Sequence, residues 1–135
     1  MRVLIVCKGN TCRSPMFAAV LRRELTNQDR RHSTIVASAG MEKAAEGQPA
    51  AADWTTLVDE TKVDLSVHRS RHISNYDLGQ FDKIICLDAA VHAQLSKSAD
   101  SERVVLCDIP NPWQQGTQAY RDCYKTICKL VPQYC

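Results

Sequence analysis

Val3-Leu4-Ile5-Val6-Cys7-Lys8-Gly9-Asn10-Thr11-Cys12-Arg13-Ser14-Pro15 is the stretch on which the fold of this chain turns. Consecutive apolar, mostly β-branched residues read as a buried strand, and the glycine-bearing polar run behind them reads as a tight loop. Ser14-Pro15 marks a helix start, because serine is a favoured cap and proline suits the first helical turn. The helix runs on with Phe17, Val20, Leu21 and Leu25 at helical spacing. Strand, short loop and helix in that order aim loop amides and the positive end of a helix dipole at one point, an anion site at the carboxyl end of the first strand.

Cys7 and Arg13 bracket the loop with five residues between them. A thiol attacks only once ionised, and its ordinary pKa of about 8.5 falls toward roughly 3.5–7.5 beside a helix N-terminus or a fixed cation. The predicted loop offers Cys7 both. Arg13 presents a planar fork that matches two oxygens of a tetrahedral dianion, a geometry lysine lacks. Gly9 is expected to supply a backbone conformation with φ > 0. A cysteine and an arginine at this spacing are unspecific alone, since buried cysteines and surface arginines are common. With the strand, the glycine and the Ser-Pro helix start around them, they point to a phosphate cradle with a thiolate nucleophile. The Gly-x4-Gly-Lys-Ser/Thr and Gly-x-Gly-x-x-Gly nucleotide loops are absent, and no cofactor is expected.

Strands are read at 2–6, 34–37, 83–87 and 103–106, and helices at 15–26, 49–61, 90–96 and 117–130. This alternation predicts an α/β fold with a parallel sheet covered on both faces. The polar run 27–33 reads as a loop, and no linker or repeat interrupts the chain. A length of 135 residues, 44% hydrophobic, suits one domain over 1–135. The net charge of +2, from 17 basic and 15 acidic residues, is too balanced to argue for nucleic acid or a membrane surface. No apolar segment approaches the roughly 20 residues that span a bilayer. The apolar start is too short for a secretion signal, so a cytoplasmic location is expected. The seven cysteines lack the paired spacing of a zinc knuckle or a disulfide framework. Zinc on the pairs Cys7/Cys12 and Cys123/Cys128 would consume the nucleophile, so no metal is expected. Cys86 reads as a buried strand residue, and Cys123 and Cys128 as partly buried on the last helix.

The run 6–15 resembles the signature loop of the low-molecular-weight protein tyrosine phosphatases. Further segments extend the likeness along nearly the whole chain: Ser38-Ala39-Gly40, Asp64-Leu65-Ser66-Val67-His68-Arg69-Ser70-Arg71, Phe81-Asp82-Lys83-Ile84-Ile85-Cys86-Leu87-Asp88, and Ile109-Pro110-Asn111-Pro112-Trp113. The resemblance implies a three-layer fold with a four-stranded parallel twisted sheet, and hydrolysis of phosphotyrosine through a cysteinyl phosphate. It implies a tyrosine-phosphorylated protein as partner, a tyrosine kinase as a further one, and a monomer or weak dimer. It assigns Cys7 and Arg13 to catalysis, and Lys8, Gly9, Asn10, Thr11, Cys12, Arg13 and Ser14 to the phosphate. Ser14 would stabilise the thiolate, and Asn10 would prop the loop with Ser38 and His68 holding it. Asp88 would sit near the loop, its alternative being a helix cap. Cys12 could form a reversible disulfide with Cys7, its alternative being loop packing.

Two positions depart from the family pattern. Asn111 stands where the family's Asp-Pro-aromatic tripeptide carries its proton donor, and an amide neither gives nor takes a proton near neutral pH. Three readings of Asn111 follow: slow or altered chemistry, a substitution that traps substrate or intermediate, or Asp108 acting in its place. Ala44 stands where an aromatic residue usually walls the substrate ring, leaving Trp113 as the stacking candidate, its alternative being core packing. A phosphotyrosine-binding module is the rival function. A thioredoxin-linked arsenate reductase, relaying through Cys86, lacks a second relay cysteine at Ala93.

Overall fold

In the computed structural model, which describes residues 1–135, strand β1 (Arg2–Cys7) enters helix α1 (Arg13–Asn27) through a short loop. Strand β2 (Ile35–Gly40) and the short helices α2 (Ala52–Thr56) and α3 (Val58–Thr61) follow. Strand β3 (Lys83–Cys86), helix α4 (Ala89–Leu95), strand β4 (Val104–Leu106) and helix α5 (Thr117–Leu130) complete the chain. The four strands form one parallel sheet in the order β2-β1-β3-β4. Chain order reverses between β1 and β3, so the loop after β1 opens at the switch point where α/β sheets bind ligands.

The pleat of β1 sorts its side chains into two cores. Val3, Ile5 and Cys7 pack with α1 and α5 through Met16, Phe17, Leu21, Tyr120, Cys123 and Ile127. Leu4 and Val6 face the other way, with Ile84, Cys86, Val91 and Leu95. Both faces are therefore covered, and each fully buried Leu, Ile, Val or Phe contributes about 1.5–3 kcal/mol before entropy is counted.

Several boundaries differ from the sequence reading. β2 begins at Ile35 and runs through Gly40, absorbing the Ser38-Ala39-Gly40 segment expected to follow it. The small residues have weak strand propensity, but Ser38, Ala39 and Gly40 lie opposite Ile5, Val6 and Cys7, and sheet pairing overrides propensity. The single helix expected over 49–61 is two helices that meet at Leu57, ended by Lys62 in the left-handed conformation. α1 begins at Arg13, so Ser14 lies inside the helix and is not its cap; Cys12 occupies the cap position without a capping side-chain bond.

Candidate active site

β1 delivers Cys7 to the floor of a cleft of about 350 Å³ at the carboxyl end of the sheet. The thiol is 2% exposed, and its sulfur lies 3.0 Å from the Ser14 hydroxyl and 3.3 Å from the Asn10 amide that donates to it. The Asn10 side-chain amide donates to Ser14 Oγ at 2.7 Å, leaving the serine proton free for the sulfur. The sulfur therefore meets two hydrogen-bond donors, the Ser14 hydroxyl and the Asn10 amide.

Asn10 is the keystone of the loop. Its second amide proton goes to Ser38 Oγ at 3.0 Å, and its side-chain oxygen accepts from the Arg71 amide at 2.9 Å. Its carbonyl accepts from His68 Nε2 at 2.7 Å, which fixes the proton of that ring on Nε2. Burial holds the His68 pKa below its ordinary value, so the neutral tautomer is favoured. Asn10 also carries the left-handed backbone, φ 56°, that was expected of Gly9. Asparagine tolerates that region because its short side chain bonds locally. Gly9 is needed less than Gly40: a Cβ on Gly9 would meet only Thr11 Oγ1 at 3.7 Å, whereas one on Gly40 would lie 2.9 Å from the Gly9 carbonyl carbon. The sequence reading gave Gly40 no role of its own, and the bare Ser-Ala-Gly run was its only signal.

Arg13, 3% exposed, points from the first turn of α1 across the ends of the neighbouring strands. Nη1 donates to the carbonyls of Leu87 at 3.3 Å and Ile109 at 3.1 Å, and Nη2 donates to Asp88 Oδ2 at 3.1 Å. Nε is buried without a partner. The Nε–H and the remaining Nη2 proton form an unused parallel fork, and a buried donor left unmade costs about 1–3 kcal/mol. An oxyanion bound in the cleft would be a partner for it. Asp88 also caps α4, its Oδ1 accepting from the Val91 amide at 2.8 Å.

Lys8, Gly9, Thr11 and Cys12 line the same cleft as Cys7 and Arg13. Cys12 presents its thiol to the Tyr120 hydroxyl at 3.2 Å, and its carbonyl accepts from Trp54 Nε1 at 2.8 Å. Burial raises the Cys12 thiol above its ordinary pKa. Trp54 is buried edge-on against Tyr120 and pins the loop from below.

The far wall is made of Glu42, Ala45, Gln48, Asn111 and Trp113. Ala45 lines the cleft in place of Ala44, which lies exposed in a 3-10 turn over Lys43–Ala45. Trp113 is 55% exposed beside the opening, which removes the core-packing alternative. Asn111 reaches the cleft, with its side-chain oxygen accepting from the Trp113 amide at 3.2 Å. Asp108 is exposed and does not line it. Cys86 lies on the opposite sheet face from Cys7, its thiol pushed up by burial to about 12, a poor position for a disulfide relay.

A buried cysteine and a buried arginine with an unpaired Nε–H, lining one cleft at the switch point of a parallel sheet, are the features of a cysteine-dependent phosphatase site. The family described as low molecular weight phosphotyrosine protein phosphatase matches residues 2–135, and the chain belongs to it. A probable low molecular weight protein-tyrosine-phosphatase EpsP of Ralstonia nicotianae is 26% identical, over 96% of this chain and 90% of that one. Vibrio vulnificus Wzb, solved with benzylphosphonate, superposes with a TM-score of 0.84 at 28% identity, covering 98% of this chain and 95% of its own. A Drosophila arginine phosphatase superposes with a TM-score of 0.88 at 26% identity, covering 99% and 95%. Membership brings a cysteine-based phosphatase mechanism and a phosphorylated protein as its general substrate. No helix is long and apolar enough to cross a membrane.

Proposed function

We propose that the protein hydrolyses phosphotyrosine and related aryl phosphates through a cysteinyl phosphate, with proton transfer weakened at Asn111. The observation that carries this reading is the unpaired Nε–H of buried Arg13 in the cleft that Cys7 also lines. Cys7 Sγ attacks phosphorus, and Arg13 with the amides of Lys8 to Ser14 takes up the charge on the equatorial oxygens. The phenolate leaves with the P–O electron pair, and Ser14 then steadies the sulfur when water displaces it. A phenol has a pKa of about 10, so its departure gains from a proton donor that an Asn111 amide is not. Trp113 stands at the opening to receive the ring of the substrate.

The decisive experiment measures binding and turnover of one phosphotyrosyl peptide on wild-type protein and on Asn111→Asp. Slow turnover that rises in the aspartate variant supports the reading. Tight binding with no turnover in either protein makes the chain a phosphotyrosine-binding module. Phosphoarginine is a second reading, favoured by the polar side chains of Glu42 and Gln48 that line the cleft with Ala45. A carboxylate there suits a cationic guanidinium better than a phenyl ring. Running a phosphoarginyl peptide beside the phosphotyrosyl one separates the two.

A further inference from the structure

The geometry points to Glu42 as a further catalytic residue, the base that takes the proton from the water hydrolysing the cysteinyl phosphate. The inference rests on the phosphatase reading above. Once Asn111 is an amide, the cleft needs another group to accept that proton, and Glu42 is the single carboxylate among its lining residues. The other nearby acids are committed or outside: Asp88 is shared between Arg13 and the start of α4, and Asp108 is exposed beyond the cleft.

Glu42 is also held beside the nucleophile. The amide of Met41 donates to the carbonyls of Cys7 at 3.1 Å and Lys8 at 2.9 Å, and the amide of Glu42 donates to Lys8 at 2.9 Å. The residue is thereby clamped to the two positions that begin the phosphate loop. Its side chain closes the same junction, with Oε1 3.3 Å from Lys8 Nζ. In the step itself a water oxygen bonds to phosphorus and the S–P bond breaks with its electron pair returning to Cys7. One water proton passes to Glu42, hydrogen phosphate leaves, and Glu42 loses the proton to solvent. The far wall thus regains from one side the proton chemistry it lacks at Asn111.

Steady-state and pre-steady-state kinetics of Glu42→Gln on p-nitrophenyl phosphate test the role, because nitrophenolate departs without a proton donor. Removing a base that acts only in the second step leaves a burst of about one equivalent of nitrophenolate. It lowers kcat by about 10²–10⁴-fold and lowers KM in parallel, so kcat/KM is retained. Glu42→Asp recovers part of kcat. An unchanged kcat in Glu42→Gln overturns the inference, and so does an equal loss in kcat and kcat/KM, the mark of a cleft that has merely been disturbed. If the wild-type protein releases no nitrophenolate at all, the phosphatase reading fails and the inference falls with it.

Discussion

On the phosphate side of the cleft, Asn10, Arg13 and Ser14 are each at most 3% exposed, and Asn10 alone engages the sulfur, Ser14, Ser38, His68 and the Arg71 amide. On the facing side, Asn111 and Trp113 are exposed, and a bond of 3.2 Å from the Trp113 amide is what holds the Asn111 side chain. The half that receives charge is over-determined, because any donor that drifted would leave a buried group unpaired. The half that handles protons is lightly held, so one substitution there alters chemistry without unfolding the loop. A substitution at Asn111 is therefore expected to change proton transfer while leaving the loop that would bind phosphate intact.

The largest effect that would break the comparison is loss of the nucleophile. Cys7→Ser should lower turnover of an aryl phosphate by on the order of 10⁶-fold, as removal of a nucleophile does elsewhere, while phosphate binding measured by calorimetry persists. Next, Asn111→Asp should raise turnover of phosphates with poor leaving groups by about 10²–10⁴-fold and change little for nitrophenyl phosphate. A gain that is equal for both leaving groups would show that Asn111 limits something other than proton transfer.

The phosphate wall should respond in stability as well as in rate. Gly40→Ala forces a Cβ within 2.9 Å of the Gly9 carbonyl carbon, and overpacking of this kind costs about 1–3 kcal/mol, readable in urea denaturation and in weaker phosphate binding. Asp88→Ala removes the cap of α4 and the partner of Arg13, and should cost about 1–2 kcal/mol by the same assay. The smallest effect concerns pH. Burial depresses the His68 pKa, so the unfolded chain binds a proton more readily than the folded one. Stability should be complete above the unfolded value of about 6.5 and decline as pH falls below it, and His68→Asn should flatten that decline.

Much of the phosphate side was legible because its determinants are local. The apolar run Val3-Leu4-Ile5-Val6, the Cys7 and Arg13 spacing and the start of α1 lie within a few residues of one another, where strand and helix periods speak for themselves. The readings that needed correction depend on side-chain bonds and packing that a periodic pattern does not encode. Ser14 looks like a cap until Asn10 and Cys7 engage its hydroxyl inside α1. Gly9 looks like the strained position until the bonds from Arg71 and His68 place Asn10 there. Ala44 and Ala45 cannot be told apart by composition, and the 3-10 turn that exposes one and presents the other forms outside any periodic pattern. The helix at 49–61 breaks at Leu57 because that apolar side chain is buried in the core with Trp54, a packing demand with no local signal.

The sequence by itself determined the alternation of strands and helices and the short loop that carries Cys7 and Arg13 between β1 and α1, because each follows from side-chain chemistry and short-range backbone preference. The tertiary structure alone decided which donors remain free. Arg13 Nε is left unpaired only because the strand ends bring Leu87, Asp88 and Ile109 to the rest of the guanidinium. Glu42 becomes the cleft carboxylate only because β2 ends beside β1 and hands its loop to Lys8. Both are consequences of strands far apart in sequence being laid side by side, and hydrogen-bond satisfaction in a buried site is settled by that juxtaposition.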